Sequence, residues 1–223
     1  MTSIQASAMV SPGTDLRRFL LLFLGLVLAV EILALDLREG DLLFVCSDTE
    51  NAITQVTSGV EELPIDHVAI VHRIGGDNGP LYVIEAIKPA VCLTPIDTFL
   101  LQNPRTLVGR VNADVDIHKS IRRCLMMVGK PYDDLYLPGD SALYCSELVQ
   151  LNYVDHWGNL VFEPVPMSFH DASGQVTDYW QEFYDQRGMA VPEGDPGSNP
   201  GELSRRQQIT IIATGLSSVR QED

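Results

Sequence analysis

The amino-acid sequence predicts an α+β domain in which an antiparallel β-sheet is packed on one side by a helix carrying Cys145. Three observations predict it. Two strongly strand-like runs, Ile65–Ile74 and Leu81–Ile87, are joined by Gly75-Gly76-Asp77-Asn78-Gly79-Pro80, a turn chemistry that makes them a hairpin. Strand signals come first and helical ones afterwards, which favours an α+β arrangement over a doubly wound sheet. Finally, Gly129–Val154 reads as a loop containing Pro131, Pro138 and Gly139 that runs into a helix, with Cys145 near its start and Leu148, Val149 and Asn152 at helical spacing behind it.

The elements follow in order. Arg17-Arg18 precedes Phe19–Val30, an unbroken apolar run of twelve residues, the charged and apolar regions of a secretory signal. The run is short for a membrane span, which needs roughly 20 residues. Ala29 and Ala34 are the only candidates for a small-residue cleavage site, so an uncleaved anchor is an alternative to a removed leader. Asp41–Cys46 is β-prone, and Asp48–Ser58 is a short helix or loop. After the hairpin come a strand at Val91–Leu93, a helix starting near Pro95 and a strand at Thr106–Val111. Asp114 or Asp116 then caps Ile117–Val128, whose Ile117, Ile121, Cys124, Leu125 and Val128 form an apolar stripe opposite Lys119, Arg122 and Arg123. Asp178–Tyr184 is an aromatic-rich helix. Val191–Gly201, rich in Pro and Gly, is expected to form no regular element, and Ile209–Ala213 is a short apolar run without an evident purpose.

Composition narrows the function. With 223 residues, 45% of them hydrophobic, the chain can build one good-sized core. A formal charge of −15 and a pI near 4.5 argue against nucleic acid or an anionic membrane surface as the main partner, since both select basic patches. Cys46, Cys92, Cys124 and Cys145 are too few and too scattered for a disulfide scaffold, and no CxxC pair suggests structural zinc. If Cys145 stays free, at most one intramolecular bridge can form among the other three.

A thiol at a helix start gains chemistry, because unpaired N–H groups and the positive end of the helix dipole favour the nucleophilic thiolate. A free Cys in an apolar helix usually behaves as a small buried hydrophobe, so the surroundings decide. Acyl chemistry also needs a base, a group that fixes the base, and donors for an oxyanion. His67 is the base of choice, in a strand the hairpin places in the sheet. His72, five residues on, points to the other face of a regular strand, which also weakens a zinc site shared by the two. His118, His156 and His170 fall on polar or loop positions. Glu85 is the third member, since a carboxylate inside the apolar strand Tyr82-Val83-Ile84-Glu85-Ala86 is costly unless paired. The Cys145 N–H is an oxyanion donor, with Tyr144, Asp66 and Glu147 available to shape the pocket.

Gly129-Lys130-Pro131-Tyr132 followed by Tyr144-Cys145-Ser146-Glu147-Leu148-Val149 resembles the G-x-P-Y and D-C-S-G-hydrophobic signature of NlpC-type papain-fold cysteine peptidases, with Tyr144 and Glu147 in place of the usual Asp and Gly. In ordinary members the His follows the Cys; here His67, in Asp66-His67-Val68-Ala69-Ile70-Val71, precedes it. That order resembles the circularly permuted branch, the YiiX-like amidases, to which the lecithin retinol acyltransferase-like proteins are also related. The resemblance covers most of Leu37–Arg206, including Gly40-Asp41-Leu42-Leu43-Phe44 and the stretch from Pro192 to Gly201.

The resemblance implies a circularly permuted papain-like (NlpC-type) fold and the order His, acidic or polar residue, Cys, and its Pro-Tyr implies that Tyr132 lies near the thiol with its hydroxyl as a second oxyanion donor. The expected division is a signal peptide or membrane anchor over 1–35, a papain-like catalytic domain over 36–187 and a Pro/Gly-rich tail over 188–223. The expected function is an exported cysteine amidase or peptidase, periplasmic, secreted or membrane-anchored, that works without a cofactor or metal. It would cleave an amide bond through a Cys145-His67-Glu85 triad and a thioester. Peptides or peptidoglycan fragments are the substrates implied first, with an acyltransferase or lipid hydrolase acting on acyl lipids, or an inactive binding module, as alternatives.

Overall fold

The computed structural model describes residues 37–76, 78–139 and 141–213, so the leader expected over 1–35 lies outside the described residues. Six strands form one antiparallel sheet: β1 (Leu42–Cys46), β2 (Ile65–Arg73), β3 (Leu81–Ala86), β4 (Val91–Pro95), β5 (Thr106–Val111) and β8 (Ile209–Ala213), in the order β4-β3-β2-β1-β5-β8. β1 lies between β2 and β5, and all five of its residues are buried, which explains its weak alternation in sequence. The helices are α1 (Ile96–Gln102), α2 (Ile117–Met126), α3 (Cys145–Asn152), α4 (Asp178–Asp185) and α5 (Pro200–Ser204). Among the described residues no helix is long and apolar enough to cross a membrane.

The main core joins Leu42, Phe44, Val68, Ile70, Ile84 and Leu107 of the sheet to Ile121 and Cys124 of α2 and Leu148 and Val149 of α3. Asp116, not Asp114, caps α2, its Oδ1 accepting from Lys119 N at 2.9 Å. Phe44 lies fully buried over β5, where a Cβ on Gly109 would stand 2.7 Å from its ring. Phe44→Ala should therefore cost about 3 to 5 kcal/mol. Urea unfolding would read this as a lower midpoint, and a loss below about 1 kcal/mol would contradict the packing. Asp41, at the mouth of β1, is buried because Arg110 binds it with both arms, Nε to Oδ1 at 2.8 Å and Nη2 to Oδ2 at 2.7 Å.

The C-terminal part departs from expectation. Between Val191 and Gly201 the structure holds a short strand, β7 (Pro196–Gly197), paired with β6 (Val165–Pro166), and the start of α5. The reason is local. Asn199-Pro200 is a helix start, with the Asn199 side chain accepting from Glu202 N at 2.6 Å and Pro200 in the first turn, where no N–H is needed. The apolar run Ile209–Ala213 is β8, the outer strand paired with β5. Part of the segment expected as a tail thus completes the sheet.

Two irregularities in β2 set up the site. Ile65 and Val68 both belong to the main core although three residues apart, because a bulge opposes Cys46 to Ile65 and Val45 to His67, leaving Asp66 extra. In addition, the β2–β3 ladder runs only from Ile70↔Ile84 to Arg73↔Leu81, so the two strands have parted by the level of His67.

Candidate active site

Cys145 is the first residue of α3, and Tyr144 before it is extended and offers no side-chain cap. The first-turn N–H groups therefore face outward from the helix start without a capping oxygen, the arrangement that stabilises an anion there. Leu148 and Val149 tie the helix to the sheet, and α3 packs on β2 and β3. The sulfur is held against the open end of the hairpin, and Cys145 is only 6% exposed.

His67 meets Cys145 at that open end. Its Nε2 donates to Glu85 Oε2 at 2.8 Å, which leaves Nδ1 as the nitrogen free to face the sulfur. Glu85 lies one residue past the last ladder pair, Ile70↔Ile84, at the level of Ala69, so His67 reaches it diagonally across the opening hairpin. Glu85 is 4% exposed, and its second oxygen, Oε1, accepts from Thr94 Oγ1 at 2.5 Å. A polar chain Cys145, His67, Glu85, Thr94 thus crosses from α3 over β2 and β3 to β4, and each buried polar group in it has a partner.

The electrostatics follow from this chain. Burial pulls the His67 imidazole down, but the Cys145 sulfur, and after it the Glu85 carboxylate, outweigh burial and raise it from 6.5 to about 10. Burial pushes the Glu85 carboxyl up, but the bonds from His67 and Thr94 outweigh that and leave it below its ordinary value. The ring, set between a sulfur and a carboxylate, is thereby favoured in its protonated form.

Two clefts meet at this centre. One runs from Cys145 between Ile53, Val56, Met167, Phe169 and Trp180, with Asp66 in its wall. The other opens on His67 and is lined by Lys88, Asp134, Tyr179 and Phe183. Tyr132, Tyr136 and Trp180 border both. The hydroxyls of Tyr132 and Tyr136 are 3.4 Å apart, and burial, with the nearby sulfur, raises both phenols and keeps them protonated donors. Tyr136 is held at φ +52°, where an aromatic residue is rare. Asp133 fixes that turn by accepting from Leu135 N and Leu137 N, both at 2.8 Å.

Of the residues expected from sequence, Cys145, His67 and Glu85 come together, Tyr132 and Tyr144 border the Cys145 cleft, and Asp66 lies in its wall. Tyr144 also anchors that wall, its hydroxyl accepting from Ser198 N at 3.1 Å. Glu147 is buried behind Cys145 and lines neither cleft. The other histidines are elsewhere. His72 is bound to Glu39 at 2.7 Å, His156 lies near Asp114 and Asp116, and His170 is bound to Glu193. Sequence reasoning missed Thr94, Tyr136 and the apolar cleft walls. The signal for Thr94 was its alternation with Cys92 on β4, usable only once the β3–β4 register is known.

The fold matches a solved structure described as metalloprotein YiiX from Escherichia coli O157:H7, with a TM-score of 0.65, 23% identity, and coverage of 81% of this chain and 98% of that one. Among the described residues of this chain no group of three or more His, Cys, Asp or Glu side chains is placed to hold a metal ion. YiiX of Escherichia coli K12 is 26% identical over 200 residues, spanning 86% of this chain and 94% of its own length. The sequence model of the permuted papain-like amidases, the YaeF/YiiX or C92 family, matches residues 36–212, which takes in the helix of Cys145, the strand of His67 and the closing strand β8 alike. By that match, and by the fold it shares with YiiX, the chain belongs to the permuted papain-like amidase family.

Proposed function

We propose that the protein is a cysteine amidase that cleaves an amide bond through a thioester on Cys145, with His67 as proton carrier and Glu85 as the group that orients it. The observation that carries this reading is the bond from His67 Nε2 to Glu85 at 2.8 Å on a ring that also senses the Cys145 sulfur. The thiolate attacks the carbonyl carbon, and the π pair moves to oxygen. The Cys145 N–H and the Tyr132 hydroxyl stabilise that oxyanion. Collapse expels the amine, which takes its proton from the His67 imidazolium, leaving a thioester and a neutral imidazole. Water then gives its proton to His67 and its oxygen to the carbonyl, and the acid departs as the thiolate re-forms. Glu85 holds the ring throughout and stabilises its charged form.

Since His67 protonates the leaving amine, that amine belongs in the His67 cleft and the acyl portion in the Cys145 cleft. The walls of Ile53, Val56, Met167, Phe169 and Trp180 suit an apolar acyl group. This admits an apolar aminoacyl residue of a cell-wall peptide, the reading favoured by the leader-like run at Phe19–Val30, and, as a second reading, a fatty acyl chain. Paired assays decide between them: amine release from a muropeptide and acid release from an N-acyl amide lipid, each with native protein and with Cys145→Ala. Turnover of one class that disappears in the variant supports the reading and names the class. Turnover of neither, or turnover that survives in the variant, contradicts it.

A further inference from the structure

Among the described residues Asp66 is the only charged one lining the mostly apolar Cys145 cleft. It lies at the bulge in β2. Without the extra residue, Ile65 and Val68 could not both enter the core beneath α3, and Asp66 and its neighbour His67 line the two clefts that adjoin the sulfur. The carboxylate is also aimed from behind. Asn51 Nδ2 donates to Asp66 Oδ2 at 2.6 Å, and Asn51 is itself fixed by accepting from Ile53 N at 2.9 Å and Thr54 N at 3.1 Å. Among the described residues no cation forms an ion pair with Asp66. Arg105, the nearby guanidinium that acts with it on Cys46, is bound to Asp48 Oδ1 and Ser47 O, both at 3.0 Å. A half-buried carboxylate with one oxygen anchored, in an otherwise uncharged apolar cleft, is arranged for a cation that the substrate brings.

Resting on the amidase reading above, we propose that Asp66 binds an ammonium group carried by the acyl portion of the substrate. The preferred substrate class is then an amide whose acyl residue has an apolar side chain and a free amine, an unblocked aminoacyl group rather than a plain fatty acyl chain. Asp66 acts here as a specificity residue and takes no part in the proton transfers.

The test uses three chloromethyl ketones of the leucine skeleton: amine free, amine acetylated, and amine replaced by hydrogen. In each, the sulfur forms a bond to the methylene carbon and chloride leaves, so labelling of Cys145 can be followed by mass without a substrate. Each rate is divided by the same reagent's rate with free cysteine. In the native protein the free amine should react about 10-fold faster than either partner, a difference expected of one desolvated charge pair. In Asp66→Asn that preference should fall to about 1, with iodoacetamide labelling of Cys145 reporting that the variant's site is intact. Equal rates for the three reagents in the native protein overturn the proposal even if the variant fails to fold, and so does a preference that survives Asp66→Asn. If iodoacetamide also fails to label native Cys145, the amidase reading fails instead.

Discussion

Replacing Cys145 with Ala should reduce amide turnover by on the order of 10⁴-fold or more while leaving the unfolding midpoint close to native. The size of the loss follows from removing the only covalent partner of the acyl group, since what remains is binding and oxyanion stabilisation without a nucleophile. The small effect on stability follows from size and position: Cys145 is part of the core but the change to Ala removes only its sulfur, at the start of α3, while Leu148 and Val149 one turn further on keep the helix on the sheet. Steady-state rates together with urea unfolding check both halves. A variant that keeps more than about a tenth of native turnover would mean that the thiol is not the nucleophile. One that unfolds would mean that Cys145 is structural, as buried free cysteines often are.

Exchanging Glu85 for Gln should slow the reaction by about 10² to 10⁴-fold and move the alkaline limb of the pH profile to lower pH. The carboxylate fixes the ring through Nε2 and also helps to raise the imidazole to about 10, so its loss both misorients the proton carrier and lets the ring give up its proton sooner. The sign extends to stability. A raised imidazole contributes fully below its ordinary 6.5, and that contribution is lost as pH climbs through about 10. The lowered Glu85 carboxyl contributes above its ordinary 4.5, and its share is lost as pH falls through its lowered value. The native protein should therefore be most stable between those limits, and Glu85→Gln should flatten both flanks. Rate profiles and NMR titration of the His67 ring would show it. An alkaline limb that stays in place would mean that Glu85 does not act on the ring.

The hairpin, β5, the capped α2 and the loop leading to Cys145 were all legible in sequence, because alternation, turn residues and caps are local. Glu85 was legible for another reason: a carboxylate inside an apolar strand has to find a partner, and His67 was the residue within reach. The bulge was not legible. It depends on how β2 meets β1, and it puts the extra residue Asp66 beside His67, the two lining adjoining clefts. The role of the C-terminal stretch was hidden likewise, since Pro and Gly suggest irregular chain until Asn199-Pro200 is seen as a helix start and β5 is seen to lack an outer neighbour without β8. The walls of the Cys145 cleft come from the loop near Ile53, from Met167 and Phe169, and from Trp180 of α4, segments that only tertiary packing brings together.

The most direct measurement of the central claim is the rate at which iodoacetamide alkylates each of the four cysteines at neutral pH, read residue by residue by mass spectrometry. Burial raises Cys46 and Cys92 and pushes Cys124 up to about 12, so all three should react slowly, whereas Cys145 has beside it the raised imidazole of His67. Alkylation of Cys145 at least about 10-fold faster than any of the others, slowed to their level by His67→Ala, is the predicted result. Labelling of Cys145 no faster than its neighbours, or unchanged when His67 is removed, would contradict it.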